Sequence, residues 1–270
     1  MSFTCKDSIQ LISDFVNSKL HGYINELRFF SFSELEHDRD FGLTTNGSFD
    51  EDDTELARAI LFLIWYGRLP ELSFEEIGSG KKYRGDTINT FNTLFGKEDQ
   101  YKNLITESSF DATITAFKKK YVTIGNFMLM PNSTGGTGNG ITSINCYRGV
   151  GSGWFDYFDK FLIELDTCLK GNTNDANEKL QTLVSENSFY FGKINTIQKF
   201  CEINYLDSYL LNTEVQSLFT PYMYHWKFKK IDSEVRQLFT HFAISYINHV
   251  EKIINRRSLK MLQIIIDRMK

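Results

Sequence analysis

The stretch from Thr54 to Tyr66 constrains the fold most strongly, because it is apolar on almost every side. A helix of this kind has no face suited to solvent and must be surrounded by other parts of the chain. Its longest apolar run, residues 59–66, is far shorter than the roughly 20 residues needed to cross a bilayer. The sequence therefore predicts a buried central helix in a protein that does not span a membrane.

The remaining sequence predicts more helices around this one, since only three prolines occur in 270 residues. Apolar residues recur at helical spacing in four segments, 6–19, 107–120, 154–169 and 232–256, with a terminal helix from Ser258. The clearest strand is Val122–Met130, and residues 141–146 are its candidate partner. We therefore predict a mainly α fold with a small β-hairpin near residues 121–146.

The length fits a single domain over residues 1–270, with a division into 1–105 and 106–270 as the alternative. The 34 acidic and 30 basic residues give a net charge of −4, which argues against nucleic acid as a partner.

The four cysteines show no metal-ligand spacing, so we expect reduced thiols in a cytoplasmic protein. No metal site is predicted, the cofactor is left open, and the helical C-terminal region permits a homodimer.

The motif YRGDTINTF, residues 83–91, contains the first group of candidate site residues. Arg84 offers a planar fork of donors suited to a phosphate or carboxylate. Asp86 is expected either to orient this arginine or to cap a short helix over residues 86–96. Asn89, three residues further on, would lie on the same face as Asp86 in such a helix.

A second group follows in SINCYRG and the residues after it. Asn145 and Arg148 repeat the combination of an amide and a guanidinium, and Asp156 and Asp159 lie at i and i+3 near a helix start. Together the motifs predict a pocket for a polar ligand such as a nucleotide or a sugar phosphate. The predicted ligand-binding residues are Arg84, Asn89, Asn145 and Arg148, and the predicted acid/base residues are Asp86, Asp156 and Asp159.

A structural role for the same residues is the alternative. Arg84 could pair with Asp86, and Arg148 with Asp156, simply to hold a loop against the helices. The protein would then be an interaction module or effector, for example of a phage-defence or toxin–antitoxin system. Whether the chain catalyses a reaction stays open at this level.

Three polar segments are interpreted without a ligand. Residues 40–53 predict a surface loop whose acidic end suits the start of the next helix. Residues 72–82 contain GSGKK but lack the full phosphate-loop pattern, so a solvated loop is expected. Lys118, Lys119 and Lys120 suit the C-terminal end of a helix, where positive charge is favourable.

The order of RGDTINTF, TIGNFMLMPN and SINCYRG, followed by the paired aspartates, resembles an uncharacterised bacterial domain family. The resemblance spans roughly residues 83–210 and departs from the family pattern at Asn126, where a second glycine is usual. It implies that the three motifs form one site, and it implies no particular reaction.

Two weaker resemblances favour enzymes. IGNFMLMPN is similar to the tail of some HNH nucleases, but the chain has no histidine between His37 and His225 to act as the base. The YRG tripeptide is similar to an arginine motif of ADP-ribosyltransferases, for which Glu164 and Glu186 are candidates only by position. Both activities are therefore ranked below ligand binding.

Overall fold

The protein is described here by a computed structural model that covers residues 3–89, 108–131, 158–172, 178–216 and 233–270. Over these ranges the fold is mainly α, as predicted, with a small antiparallel sheet. The helices of these ranges are α1 (Cys5–Lys19), α2 (Glu55–Trp65), α3 (Ser108–Lys120), α4 (Phe158–Leu169), α5 (Glu178–Glu186), α6 (Ser188–Phe191), α7 (Ile197–Ile203) and α8 (Ser233–Met269). The strands are β1 (Tyr83–Thr87), β2 (Phe127–Pro131), β3 (Leu210–Leu211) and β4 (Glu214–Val215).

Helix α2 is the buried centre that its composition predicts. It begins after Thr54, whose hydroxyl accepts a hydrogen bond from the Ala57 N–H at 3.3 Å. Nine of its eleven residues are buried, so the helix contacts protein on nearly every side. Helix α1, strands β1 and β2, and helix α8 all pack against it.

The small sheet is formed by a different pair of strands from the one predicted. Strand β2 overlaps the second half of the predicted strand and extends one residue beyond it, but its antiparallel partner is β1, with Gly85 opposite Leu129. Residues 141–146 lie outside the described ranges. The predicted helix over residues 86–96 does not begin at Asp86, because residues 83–87 are extended, and residues 90–96 lie outside the described ranges. Gly85 permits this path, since a Cβ there would lie 2.7 Å from Leu61 Cδ1 of α2.

Helix α8 runs unbroken for 37 residues, whereas the sequence predicted a break near residue 257. Neither glycine nor proline interrupts it, and its buried face continues through Arg257 and Ser258, which are 1% and 3% exposed. The buried face of α8 is therefore continuous at these two residues, although both are polar. Among the described helices, none combines the length and the apolar character needed to cross a membrane.

Candidate functional site

Arg84 projects from β1 toward the segment that precedes α2. Its Nη2 donates to Asp50 Oδ2 at 2.8 Å, and the two side chains are 35% and 32% exposed. The ion-pair partner of Arg84 is therefore Asp50 and not Asp86, the partner in the predicted clamp. The Glu51–Asp53 turn brings Asp50 here, because it leads directly into α2 beside β1.

Two more carboxylates lie close to this arginine. Asp52 and Asp86 are 7% and 9% exposed, and we call the group Asp50, Asp52, Arg84 and Asp86 the carboxylate–arginine cluster. Burial raises the pKa of Asp52 well above its usual range, and the charges of Asp50 and Asp86 raise it further. Although burial opposes it, the same three carboxylates raise the pKa of Arg84. The cluster therefore contains a carboxyl group that favours its protonated form beside a permanent cation.

Within the described part of the chain, two buried polar atoms of the cluster have no partner. Among the residues that the structure describes, neither Asp52 Oδ1 nor Arg84 Nε takes part in a hydrogen bond. Buried polar groups in native proteins are nearly always paired with protein or ordered water. An unpaired acceptor and an unpaired donor in one cluster are therefore suited to a small polar group that binds both.

Tyr121 and Glu51 border the cluster. Burial raises the pKa of Tyr121 to about 12, and the charges of Glu51 and Asp50 add to this effect. Burial also raises the pKa of Glu51, with Asp50 and Glu36 contributing. Tyr121 is therefore neutral, and the carboxylates around Arg84 disfavour any further negative charge at this position.

Asn89 lies in a separate buried group, the asparagine cluster, formed by Asn89, Asn126 and Tyr209. Asn89 Nδ2 donates to Asn126 Oδ1 at 3.2 Å, and Tyr209 Oη donates to Asn89 Oδ1 at 2.6 Å. Asn126 Nδ2 donates to the carbonyls of Asn89 and Tyr121, at 2.7 Å each. These bonds tie the end of β1 to the turn before β2. A ligand contact by Asn89 stays a prediction.

The other predicted site residues fall in two groups. Asp159 is 1% exposed in the first turn of α4. Burial raises the pKa of Tyr209, and the charge of Asp159 contributes, which places Asp159 near the asparagine cluster. Asn145, Arg148 and Asp156 lie outside the described ranges, so the predicted meeting of the two motifs stays untested.

The GSGKK loop is closed by the protein itself. The Ser79 N–H donates to Asp53 Oδ1 at 3.2 Å and to Thr45 Oγ1 at 3.0 Å. The Thr45 N–H donates to Asp53 Oδ2 at 3.0 Å. The Asp53 carboxylate thus accepts a hydrogen bond from the Ser79 N–H, a loop group that would otherwise be free to bind a phosphate. This agrees with the prediction that the segment is not a phosphate loop.

Sequence reasoning missed Asp50 and Asp52, because it assigned residues 40–53 to a surface loop. A signal was present, since four consecutive acidic residues, 50–53, stand immediately before a helix that is apolar all round. The start of such a helix must lie at the core, so some of these carboxylates must become buried. In the described part of the chain, no group of three or more His, Cys, Asp or Glu side chains has the arrangement of a metal site.

Comparisons of the chain with models of protein families, with curated proteins and with solved structures give no match. The resemblance to the uncharacterised bacterial domain family therefore stays a prediction. Function must be inferred from the cluster geometry alone.

We expect Asp52→Asn to increase the free energy of unfolding at pH 8 and to change it much less near pH 4. The pKa of Asp52 is raised in the folded state, so the folded protein binds this proton more tightly than the unfolded chain. The wild type therefore loses stability as the pH rises from the unfolded value, about 4, through the folded value. Urea unfolding at several pH values measures the difference.

Asp53→Asn is the matched control, because Asp53 is also buried but accepts hydrogen bonds from Thr45 and Ser79. We expect this variant to be less stable than the wild type at pH 7. An Asp52→Asn protein that loses stability to the same degree would contradict the assignment of a protonated Asp52.

Proposed function

We propose that the protein binds a polar small molecule at the carboxylate–arginine cluster, with a hydroxyl or amide group of the ligand placed between Arg84 and Asp52. The observation that carries this proposal is the pair of buried, unpartnered atoms Arg84 Nε and Asp52 Oδ1 among the described residues. A buried polar atom without a partner costs about 1–3 kcal/mol. A hydroxyl group both accepts and donates, so one such group can pair with both atoms.

The local charges refine the predicted ligand class. Among the described residues, Asp50, Asp52 and Asp86 surround one guanidinium, that of Arg84, and Asp50 already pairs with it. A phosphate at this position would meet more negative than positive charge. We therefore place the hydroxyl-bearing part of a nucleotide, nucleoside or sugar at the cluster. Any phosphate of the ligand would be bound elsewhere, and Arg148 remains the predicted donor for it.

The same cluster supplies the groups needed for acid/base chemistry. Asp52 favours the protonated form and so can donate a proton, and Asp50, which forms the salt bridge with Arg84, lies in the same cluster. If the ligand contains a hydrolysable bond, Asp52 is the group that we assign as the proton donor. Carboxyl groups with strongly raised pKa values are common at catalytic sites.

A cytoplasmic location is part of this proposal. Cys5, Cys168 and Cys201 carry free thiols in the described chain, which suits a reducing compartment. The predicted homodimer remains a separate proposal that size measurements would test.

A second candidate function is the interaction module. One observation favours it, namely that several motif residues hold the fold together. Gly85 allows β1 to pass Leu61 and Asp52, and Asn89 is bonded to Asn126 and Tyr209. On this view the motifs form a scaffold, and a protein partner would bind elsewhere on the surface. Ligand titration separates the two candidates, because only the first predicts saturable binding that depends on Arg84.

We expect a panel of neutral sugars and nucleosides, tested with their phosphorylated forms, to contain compounds that raise the melting temperature by mass action. Arg84→Lys keeps the positive charge but removes the Nε–H and the planar fork. We expect it to weaken binding of such a compound about 10- to 100-fold, the effect of losing a hydrogen bond to a charged group. Isothermal titration calorimetry measures the change.

Arg68→Lys provides the control, because Arg68 is an exposed arginine outside the cluster that reaches the Glu202 carbonyl at 3.5 Å. It should bind the same compound as tightly as the wild type. Equal losses in both variants, or no binding by any compound of the panel, would contradict the ligand site and favour the interaction module.

A further inference from the structure

The solvent-facing side of α8 is basic over its middle part. Glu251 is the only acidic residue between positions 245 and 263, and it is partly buried. The exposed side chains in this part of the helix include Asn248, His249, Lys252, Asn255, Arg256 and Leu259. The whole chain has more acidic than basic residues, 34 against 30, so composition alone does not explain this segregation.

Helix α3 adds to the same region. Lys120 Nζ forms a salt bridge with Glu251 Oε2 at 2.9 Å, which joins the lysine-rich end of α3 to the middle of α8. Glu251 is thereby neutralised, and the exposed Lys119 lies next to the residue that makes the bridge. We call Lys119, His249, Lys252 and Arg256 the basic ridge.

The cations of the ridge have no counterion in the described parts of the chain. No ion pair involves Lys119, Lys252 or Arg256 among those residues, whereas Lys120 and Lys260 are both paired. Lys252 and Arg256 are four residues apart, so they are neighbours on the helix and about 6 Å apart along its axis. Like charges at this spacing destabilise a helix. The arrangement therefore does not serve stability, and it suits a negatively charged partner.

We propose that the basic ridge binds the phosphate backbone of a nucleic acid. Asn248 and Asn255 alternate with the cations along the helix, and amide side chains commonly donate to phosphate oxygens beside Lys and Arg. Leu259 is the single large apolar side chain exposed here, at 52%, and membrane-binding helices bury a whole apolar face. The charges and amides therefore fit a polyanion with hydrogen-bond acceptors better than a lipid surface.

This proposal differs from the expectation drawn from net charge. A value of −4 describes the whole chain, whereas phosphate binding depends on the charges within about 10 Å of the contact, the Debye length at 0.1 M salt. Burial and the charges of Lys252 and Arg256 lower the pKa of His249, so the ridge has three cations, Lys119, Lys252 and Arg256. Three cations give weak, sequence-independent binding that is sensitive to salt. This proposal uses none of the residues of the carboxylate–arginine cluster, so the two can fail separately.

The test is fluorescence anisotropy of the full chain with a labelled 20-nucleotide RNA and with a duplex DNA of the same sequence. We expect binding at 50 mM salt to weaken roughly 20-fold at 200 mM, as expected for three phosphate contacts on a single strand. The double variant Lys252→Glu/Arg256→Glu should bind at least about 10-fold more weakly at 50 mM salt and with a smaller salt slope.

The variant Lys193→Glu/Lys199→Glu is the matched control, since both lysines are exposed and the change in net charge is the same. It should bind nearly as tightly as the wild type, and both double variants should melt close to the wild type. Equal loss of binding in the two variants would show a general charge effect and overturn the proposal. So would no binding to either probe, or binding to anionic phosphatidylserine vesicles but not to nucleic acid.

Discussion

Replacing Arg257 with leucine is expected to lower the free energy of unfolding by about 3–5 kcal/mol, because it removes the partner of several buried carbonyls. Arg257 is 1% exposed, and its guanidinium donates to the carbonyls of Gly125, Phe127 and Asn204. Burial lowers its pKa to about 10, so it stays charged at neutral pH. For a protein of this size the loss corresponds to a melting temperature roughly 6–20 °C lower.

The adjacent residue provides the control for this prediction. Arg256 is exposed on the other side of α8 and has no ion-pair partner among the described residues. Arg256→Leu is therefore expected to change stability by less than about 0.5 kcal/mol. If the two leucine variants unfolded at the same urea concentration, Arg257 would not be the link between α8 and the turn before β2.

Gly125→Ala is the second substitution with a large expected effect. A Cβ at this position would overlap the Ile254 carbonyl and the Ser258 hydroxyl, and it would lie 2.7 Å from the Ser258 N–H. Two of these atoms belong to the backbone of α8, so the helix itself would have to move. We expect a loss of about 3 kcal/mol, at the upper end of the usual cost of overpacking. Urea unfolding measures it.

Gly47→Ala separates this clash from the general cost of replacing a glycine. Gly47 has a φ of +76°, but nothing lies within 4 Å of an added Cβ. The variant should lose about 1 kcal/mol, from backbone strain alone. A Gly125→Ala protein no less stable than this control would show that α8 does not lie against the turn as closely as described.

The helical part of the fold was predictable because its signals are local. The apolar spacing of α2 and α3 and the low proline content identify helices without knowledge of their neighbours. The pairing of the strands was not predictable in this way. Strand β1 begins 44 residues before its partner β2, and nothing in YRGDT shows which strand it will meet. The break predicted near Arg257 was wrong for a similar reason, since only the distant carbonyls explain why a charged residue is buried there.

The candidate site was predictable in part. The motif containing Arg84 and Asp86 was identified from residue types, and both residues lie in the carboxylate–arginine cluster. Asp50 was missed because its role depends on a contact between residues 34 positions apart. Asn126, the departure from the family pattern, has a role that needed the structure, since it bonds to Asn89 and Tyr121 where a glycine could not.

The long final helix also has a consequence for how the chain folds during synthesis. Arg257 reaches back 132 residues to Gly125, and Arg268 donates to the Tyr66 carbonyl, 202 residues earlier, at 2.8 Å. Contacts of such large sequence separation slow folding, because a long loop must close before they form. The hydrogen bonds between the Arg257 guanidinium and the turn before β2 therefore form only after α8 has left the ribosome. Until then, the central helix α2 also lacks its contacts with α8.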